Sequence, residues 1–328
     1  MKNGLENVKR IMLAPVVLFG FNRADHMERV IKALSSNLCA NESDLYVYID
    51  KPNSDDAINI EKNALVLNML ERENDLLSSS FKSVSINVAE KHKGCKKSII
   101  EGISEIIHKY GRVIVVEDDI LTSKDFLKLM NDMLDFYDTD KRVFTVGGYS
   151  EPFKALEKYD KDVYALYRAS SWGWATWVDR FDTIDFHLDK SALKDKETFK
   201  RLRLGGTEMQ GLIKNEILGL SDAWDVQLAY AHAKQDKISI FPKISRAYNI
   251  GLDNTGTHCT DASEQAKEQQ ELKEPMPFKL EKVDIDKKIA RELYAKRSYD
   301  YVGKLKRNFN KKGFEKLFKR ILLKFNVG

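Results

Sequence analysis

The chain has 328 residues, 43% of them hydrophobic, and a formal net charge of +4. That length and apolar content suit one large α/β domain, or one domain with an appendage, and exclude a disordered or fibrous chain. Nine Lys or Arg against the single acid Glu315 fall within residues 303–328, so the basicity belongs to the tail, the body is slightly acidic, and nucleic-acid binding is excluded as a main role.

In chain order, the apolar run "IMLAPVVLFGF" follows Lys9 and Arg10. It lacks a small-x-small cleavage site and is shorter than the roughly 18 to 20 residues that span a bilayer, so it reads as the first strand. Further β-rich runs occur at "LYVYID" (45–50), "FKSVSINVA" (81–89) and "RVIVVE" (112–117). Helical patterns lie between them, at 25–34, at about 55–77 and at 97–110, where Ile99, Ile103, Ile106 and Ile107 share one face. Strand and helix in alternation predict βαβ units and a parallel sheet, whose ligands gather at the carboxyl ends of the strands.

From residue 143 the rhythm changes. "VFTVGGYS" and "DVYALYRASSWGWATW" read as strand-like and aromatic, helical patterns follow at about 191–203, 207–220 and 223–234, and "KISIFPKISRAYNIG" reads as strand and turn. Residues 255–273 are polar without clear periodicity. Cys39, Cys95 and Cys259 are odd in number and unpaired by spacing, which favours a reducing compartment over a disulfide framework or zinc site. The expected location is cytoplasmic.

The fourth strand runs directly into Glu117, Asp118 and Asp119. Adjacent acids repel and are costly to bury unpaired. A divalent cation, Mg²⁺ or Mn²⁺, bound jointly with phosphate oxygens resolves the conflict; capping of a following helix is the plainer alternative. Other strand ends carry suitable partners: Asn22 and Arg23 after the first strand, with Arg able to fork onto phosphate or a base edge, and Asp50 after the second, able to accept from a uracil N–H or ribose hydroxyl. Each also has a plain reading, Arg23 as a surface helix residue and Asp50 as a turn former.

Across residues 13–262 a series of motifs resembles the inverting glycosyltransferases of GT-A fold, N-acetylglucosaminyltransferase I and its relatives above all. They are "PVVLFGFNR", "YID", "VVEDDILTSKDF", "LYRASSWGW", "AWDVQLAY" and "PKISRAYNIG". The resemblance implies a GT-A fold: an α/β, Rossmann-like, mostly parallel sheet with an acceptor-side half packed on it. Residues 1–150 would form the donor half, 151–275 the acceptor and catalytic half, and 276–328 a helical, basic, amphipathic tail. It also implies that Asp119 ligates the metal, that Glu117 and Asp118 hold sugar and ribose hydroxyls or metal-bound water, and that Asp225 is the general base.

Inversion at an anomeric carbon itself requires one carboxylate to take the acceptor hydroxyl's proton. Asp222 is the expected N-cap of the helix at "SDAWDVQLAY", which leaves Asp225 for that role, with Asp222 or Asp185 as alternatives. Of Trp172, Trp174 and Trp177, one is expected to stack on sugar and the others to be structural; Trp174 is the donor-side candidate. His258, after Gly256, is a candidate metal ligand or phosphate donor on a closing loop. Lys93 and Lys96 are candidate phosphate contacts or solvated surface groups.

In the tail, Phe314, Leu317, Phe318, Ile321, Leu322 and Phe325 recur at helical spacing among basic residues. This is the pattern of a helix on an anionic membrane surface, or of one docked on the body. The expected activity is therefore transfer of a sugar, GlcNAc by resemblance, from a UDP donor to a hydroxyl of a glycan or lipid-linked glycan. The lack of an N-terminal anchor departs from the Golgi members and points to bacterial surface polysaccharide or lipopolysaccharide assembly. Two rivals are a sugar nucleotidyltransferase, whose glycine-rich basic loop "FGFNRADHMERV" lacks, and a non-catalytic glycan-binding protein, which would not need the acids.

Overall fold

The computed structural model describes residues 12–253 and 268–298. Its centre is an eight-stranded sheet in the order β3-β2-β1-β4-β8-β6-β9-β7. The strands are β1 (Val16–Gly20), β2 (Asp44–Ile49), β3 (Ser83–Val88), β4 (Arg112–Glu117), β6 (Val143–Gly147), β7 (Val163–Leu166), β8 (Trp174–Trp177) and β9 (Ile238–Pro242). Only β7 and β8 run against the others. This is the mostly parallel α/β sheet expected from the sequence. A second, two-stranded sheet pairs β5 (Ile120–Thr122) antiparallel with β10 (Ala247–Asn249).

The central strands β1 and β4 read as unbroken apolar runs because helices cover both faces. On one side pack α1 (Ala24–Ser35), through Met27, Val30, Ile31 and Leu34, and α5 (Phe126–Phe136). On the other packs α4 (Cys95–Tyr110), burying the predicted Ile99, Ile103, Ile106 and Ile107. The charged stretch after β2 divides into α2 (Ala57–Arg72) and α3 (Asn74–Ser80).

In the second half, the short α6 (Val178–Phe181) follows β8, and α7 (Lys196–Leu202), α8 (Glu208–Ile217) and α9 (Asp225–Lys234) form a helical layer. The first part of the expected tail is not an appendage. There α10 (Lys287–Lys296) buries Ile289 and Leu293 among Phe153, Leu156, Tyr164, Leu166 and Phe241. His258, Cys259 and the amphipathic run 303–328 lie outside the described residues. No helix among the described residues is long and apolar enough to cross a membrane.

Two features fix the crevice at the carboxyl edge. The chain leaves β1 for β2 on one side and later places β4 on the other, so the connections after β1 and β4 diverge and open a gap. The β5–β10 pair then closes part of that gap, with Ile250 N–H donating to the Asp119 carbonyl at 2.8 Å. The "PKISR" element owes its fixed place to a buried ion pair, Arg246 Nε to Asp125 Oδ2 at 2.8 Å, with Ser123 Oγ–H also donating to Asp125 at 2.6 Å.

His232, on α9, is buried edge-on against Phe144 with centroids 5.8 Å apart, and burial holds its pKa down at about 3. The unfolded chain, with an ordinary histidine pKa of about 6.5, takes up the proton first, so this group withdraws stability as pH falls below that value. At pH 5 the loss relative to pH 7 should be about 2 kcal/mol in the wild type. His232→Gln is expected to lack this component, as read by urea unfolding at the two pH values.

Candidate active site

Arg23, the first residue past the turn after β1, reaches the acids at the end of β4. Its Nη2 donates to Asp118 Oδ1 and its Nε to Asp118 Oδ2 at 3.4 Å. Its Nη1 lies 3.0 Å from Asp119 Oδ2 without the alignment of a hydrogen bond. Burial works against the guanidinium's charge, but Asp118 and Asp119 more than offset it and raise the pKa above the ordinary value. Desolvation nevertheless pushes Asp118 up to about 6. Glu117 is raised well above the usual carboxylate range, by burial first and then by Asp119, Asp118 and Asp225. The corner thus carries more carboxylate than one arginine can balance.

Gly251, just after β10, seals it. A Cβ there would stand 2.2 Å from Asp119 Oδ2 and 2.9 Å from Arg23 Nη1, so no larger residue fits without displacing the pair. One step on, His26 Nε2 is 3.1 Å from Asp253 Oδ2. Cys95, at the start of α4, faces the same space: desolvation, then Glu117, Asp118, Asp222 and Asp225, push its thiol up to about 12.

Asp225 joins this site from the second half. It is the first residue of α9, whose N-cap is Trp224 without a side-chain cap bond. Asp222 therefore does not cap the helix as expected, since the chain turns into α9 only after it. Asp185 accepts the backbone N–H of His187 at 2.8 Å in an exposed turn and is a local turn former. Two contacts set the start of α9. Trp224 stacks on Trp174, with centroids 5.6 Å apart and planes at 22°. Glu216 of α8 accepts from Lys96 Nζ at 2.5 Å, and from Ser221 Oγ–H, the Ala223 N–H and Gln227 Nε2–H at 3.1 Å each. Lys96 is thereby a strut between α4 and α8, and Lys93 pairs with Glu101 at 2.8 Å.

Three of the anticipated donor contacts are placed elsewhere. Trp174 is fully buried in β8, where sheet packing and the Trp224 stack consume its faces, so it cannot meet a donor. Trp177 is likewise core, its Nε1–H donating to the Leu134 carbonyl, whereas Trp172 lines a cavity. Asp50 spends its oxygens on backbone N–H groups of Lys51 and Lys93 (both 2.9 Å) and Gly94 (2.8 Å). It shapes the loop before α4 instead of facing a ligand. Asn22 donates to Asn59 at 2.6 Å, turned toward α2.

Two hollows flank the corner. A cleft of about 730 Å³ runs beside the β2 end, lined by Lys51, Pro52, Asn53, Asn63 and His92 among others. A cavity of about 140 Å³ is lined by Asp225, Arg168, Trp172, Tyr149, Glu151 and Arg297 among others. Glu216, His92, Glu151 and Arg297 escaped the sequence reading because each acquires its place only through a long-range partner. Gly251 was visible, as the glycine ending "AYNIG".

No family model matches the chain. Over 186 residues it is 24% identical to the alpha-1,3-mannosyl-glycoprotein 2-beta-N-acetylglucosaminyltransferase of Arabidopsis thaliana. The chain is similar to an N-acetylglucosaminyltransferase. The match covers 53% of this chain and 38% of that relative, so the chain spans well under half of its length. Among solved structures, a mannosyltransferase of Pyrobaculum calidifontis in complex with GDP-Man and Mn²⁺ aligns over 67% of this chain and 69% of its own, at 12% identity and a TM-score of 0.39. A TarS fragment of S. aureus aligns over 73% and 60%, at 13% identity and 0.41. At those scores neither bears on donor or mechanism, and the fold rests on the strand order described above.

Glu216→Ala leaves several donors around the α9 start without their acceptor. With each buried unpaired group costing about 1–3 kcal/mol, the variant is expected to lose at least about 2 kcal/mol in urea unfolding.

Proposed function

We propose that the protein is an inverting glycosyltransferase of GT-A fold. It moves a sugar from a UDP donor, GlcNAc favoured, to a hydroxyl of a glycan or lipid-linked glycan in surface polysaccharide or lipopolysaccharide assembly. The observation that carries this reading is the gathering of Arg23, Glu117, Asp118 and Asp119 at the sheet's switch point, with Asp225 near enough to help raise the Glu117 pKa and lining the neighbouring cavity. The match to a GlcNAc transferase supports the choice of donor.

On this reading the cleft beside Lys51, Asn53 and His92 takes the nucleoside, and the diphosphate lies toward the β1 and β4 ends. Arg23 is within reach of both the acids and that diphosphate, and can exchange one for the other as a fork. Asp225 accepts the proton of the attacking hydroxyl on the side opposite the nucleotide. Trp172, partly buried beside it, offers a face to sugar C–H groups.

The donor set also fits a hard divalent cation, Mn²⁺ or Mg²⁺. All the acids here are oxygen donors, and the Asp119 side chain keeps 15% exposure against 6% for Asp118. Among the described residues no three His, Cys, Asp or Glu form a closed metal cage. Asp119 would therefore be the protein ligand, with water and diphosphate oxygens completing the shell, as such nucleotide-bound ions prefer. When bound, the ion supplies charge neutralisation to the departing diphosphate. His258 would be a further ligand. The basic amphipathic run 303–328 would hold the enzyme at an anionic membrane surface carrying the acceptor, on the cytoplasmic side.

The test is calorimetry with UDP, UDP-GlcNAc, UDP-Gal and UDP-Glc, each with Mn²⁺ and with excess EDTA. Metal-dependent binding that favours one sugar is expected, and absence of binding to all four overturns the reading. Asp119→Ala should abolish the metal-dependent component. Asp225→Asn should bind donor normally and lose at least about 100-fold in turnover; near-normal transfer by that variant would remove Asp225 from the base role.

A further inference from the structure

The cavity at Asp225 is not built by the catalytic half alone. One wall comes from Arg297, the residue that ends α10, more than seventy positions beyond Asp225 in the chain. Arg297 Nη2 donates to Glu151 Oε1, and the same two residues also line an adjoining hollow of about 180 Å³ with Tyr149, Trp172, Glu268 and Lys296. Arg168, also in the lining, donates from Nη1 to Glu208 Oε1 at 2.5 Å and to the Gly205 carbonyl at 3.0 Å. The floor is aromatic: Tyr149 and Trp172 meet edge to face, with centroids 4.5 Å apart.

The Arg297–Glu151 pair is not what holds α10 in place. Ile289 and Leu293 are fully enclosed in the core. Glu292 accepts the backbone N–H groups of Lys154 and Ala155 at 2.7 and 2.9 Å, and Lys296 pairs with Glu268 at 2.8 Å. Arg297, which lines both hollows, has its Nε buried without a hydrogen-bond partner, and an unsatisfied polar group on a cavity-lining residue calls for an explanation in what the cavity takes.

We infer that the Arg297–Glu151 wall, sharing one cavity with Arg168, Tyr149 and Trp172, is a saccharide-binding subsite that reads hydroxyls of the acceptor beside Asp225. This rests on the glycosyltransferase reading and deepens it. The wall favours an uncharged sugar. Each guanidinium is already matched by a carboxylate and Asp225 adds another, so the lining has no surplus positive charge, and an anionic group would compete with Glu151 and Glu208. A sugar hydroxyl is both donor and acceptor, and can give its proton to a carboxylate while accepting from the adjacent guanidinium. Apolar sugar faces suit the aromatic floor. Acceptor choice is thereby assigned to the C-terminal segment, which packs onto the catalytic half and is not a mere appendage.

The experiment compares wild type, Arg297→Gln, Arg297→Lys and Glu151→Gln, each first shown by thermal unfolding to be folded. Donor binding is read by calorimetry with the UDP-sugars and Mn²⁺. Acceptor use is read with the methyl glycosides of glucose, galactose, mannose and N-acetylglucosamine. The expected result is donor affinity within twofold of wild type in all variants. Acceptor KM should rise at least tenfold in Arg297→Gln and Glu151→Gln with a much smaller change in kcat, and Arg297→Lys should recover part of it. Unchanged acceptor KM in folded Arg297→Gln and Glu151→Gln overturns the subsite. Should wild type bind no UDP-sugar, the glycosyltransferase reading fails separately. The cavity is then read by saturation-transfer NMR with the same four glycosides. Signals present in wild type and lost in Arg297→Gln support the subsite; equal signals, or none in either, overturn it.

Discussion

Everything at the carboxyl edge depends on how three consecutive carboxylates are tolerated at the end of a central strand. Their mutual repulsion and desolvation are opposed by one guanidinium, Arg23, which touches both Asp118 and Asp119. Arg23 can do this because β1 and β4 are neighbours in register, Phe19 opposite Glu117, so the residues that follow the two strands emerge side by side. The switch in strand order is therefore an electrostatic device as much as a topological one. It brings a cation from one connection to the anions of another, and leaves the crevice between them open.

The second half of the chain serves this corner by rigid means. Residues 247–251 are tied to the acids by the β5–β10 ladder and by the buried Arg246–Asp125 pair, which places Gly251 where no side chain fits. The start of α9 is fixed from two directions, by the Trp174–Trp224 stack in the sheet and by Glu216 bridging Lys96 of α4 to the turn before Asp225. Groups mounted on strand ends and helix starts hold position more closely than groups on free loops. The base candidate and the acidic corner are thus linked through packed elements, with α4 common to both.

The parts of this that were legible in sequence are those written in local periodicity and local charge. Four apolar runs separated by amphipathic helices gave β1 to β4 and their flanking helices with small errors at the ends, and an acidic triplet after a buried strand marked the crevice. Where the reading went astray, a long-range contact had decided the matter. Trp174 looks like a ligand-facing aromatic until the antiparallel insertion of β8 between β4 and β6 buries it. Asp50 has the type and place of a nucleoside contact, yet a loop more than forty residues on offers it backbone N–H groups at hydrogen-bond distance. Asp222 has the spacing of a cap, but the helix begins later, at Asp225. Glu216 sits in the last turn of α8 with no local signal to mark it, and only the folded chain surrounds it with four donors.

The two sides of the crevice also solve the problem of partly buried charge in opposite ways. Around the Asp225 cavity each guanidinium has its carboxylate: Arg297 with Glu151 and Arg168 with Glu208. The pairs leave no guanidinium charge over, so the lining gains little from binding an anion. At the ends of β1 and β4 one arginine faces Glu117, Asp118 and Asp119, with Asp225 contributing to the rise of Glu117. That surplus of negative charge is a poor host for a bare diphosphate, which would add to the repulsion. It becomes a good one only when a cation arrives with the phosphates, because the cation's charge then answers to protein and ligand together. On the proposed reading this makes metal and nucleotide mutually dependent ligands of the donor cleft, while the acceptor, meeting a wall already balanced, is selected by hydroxyl geometry and aromatic contact.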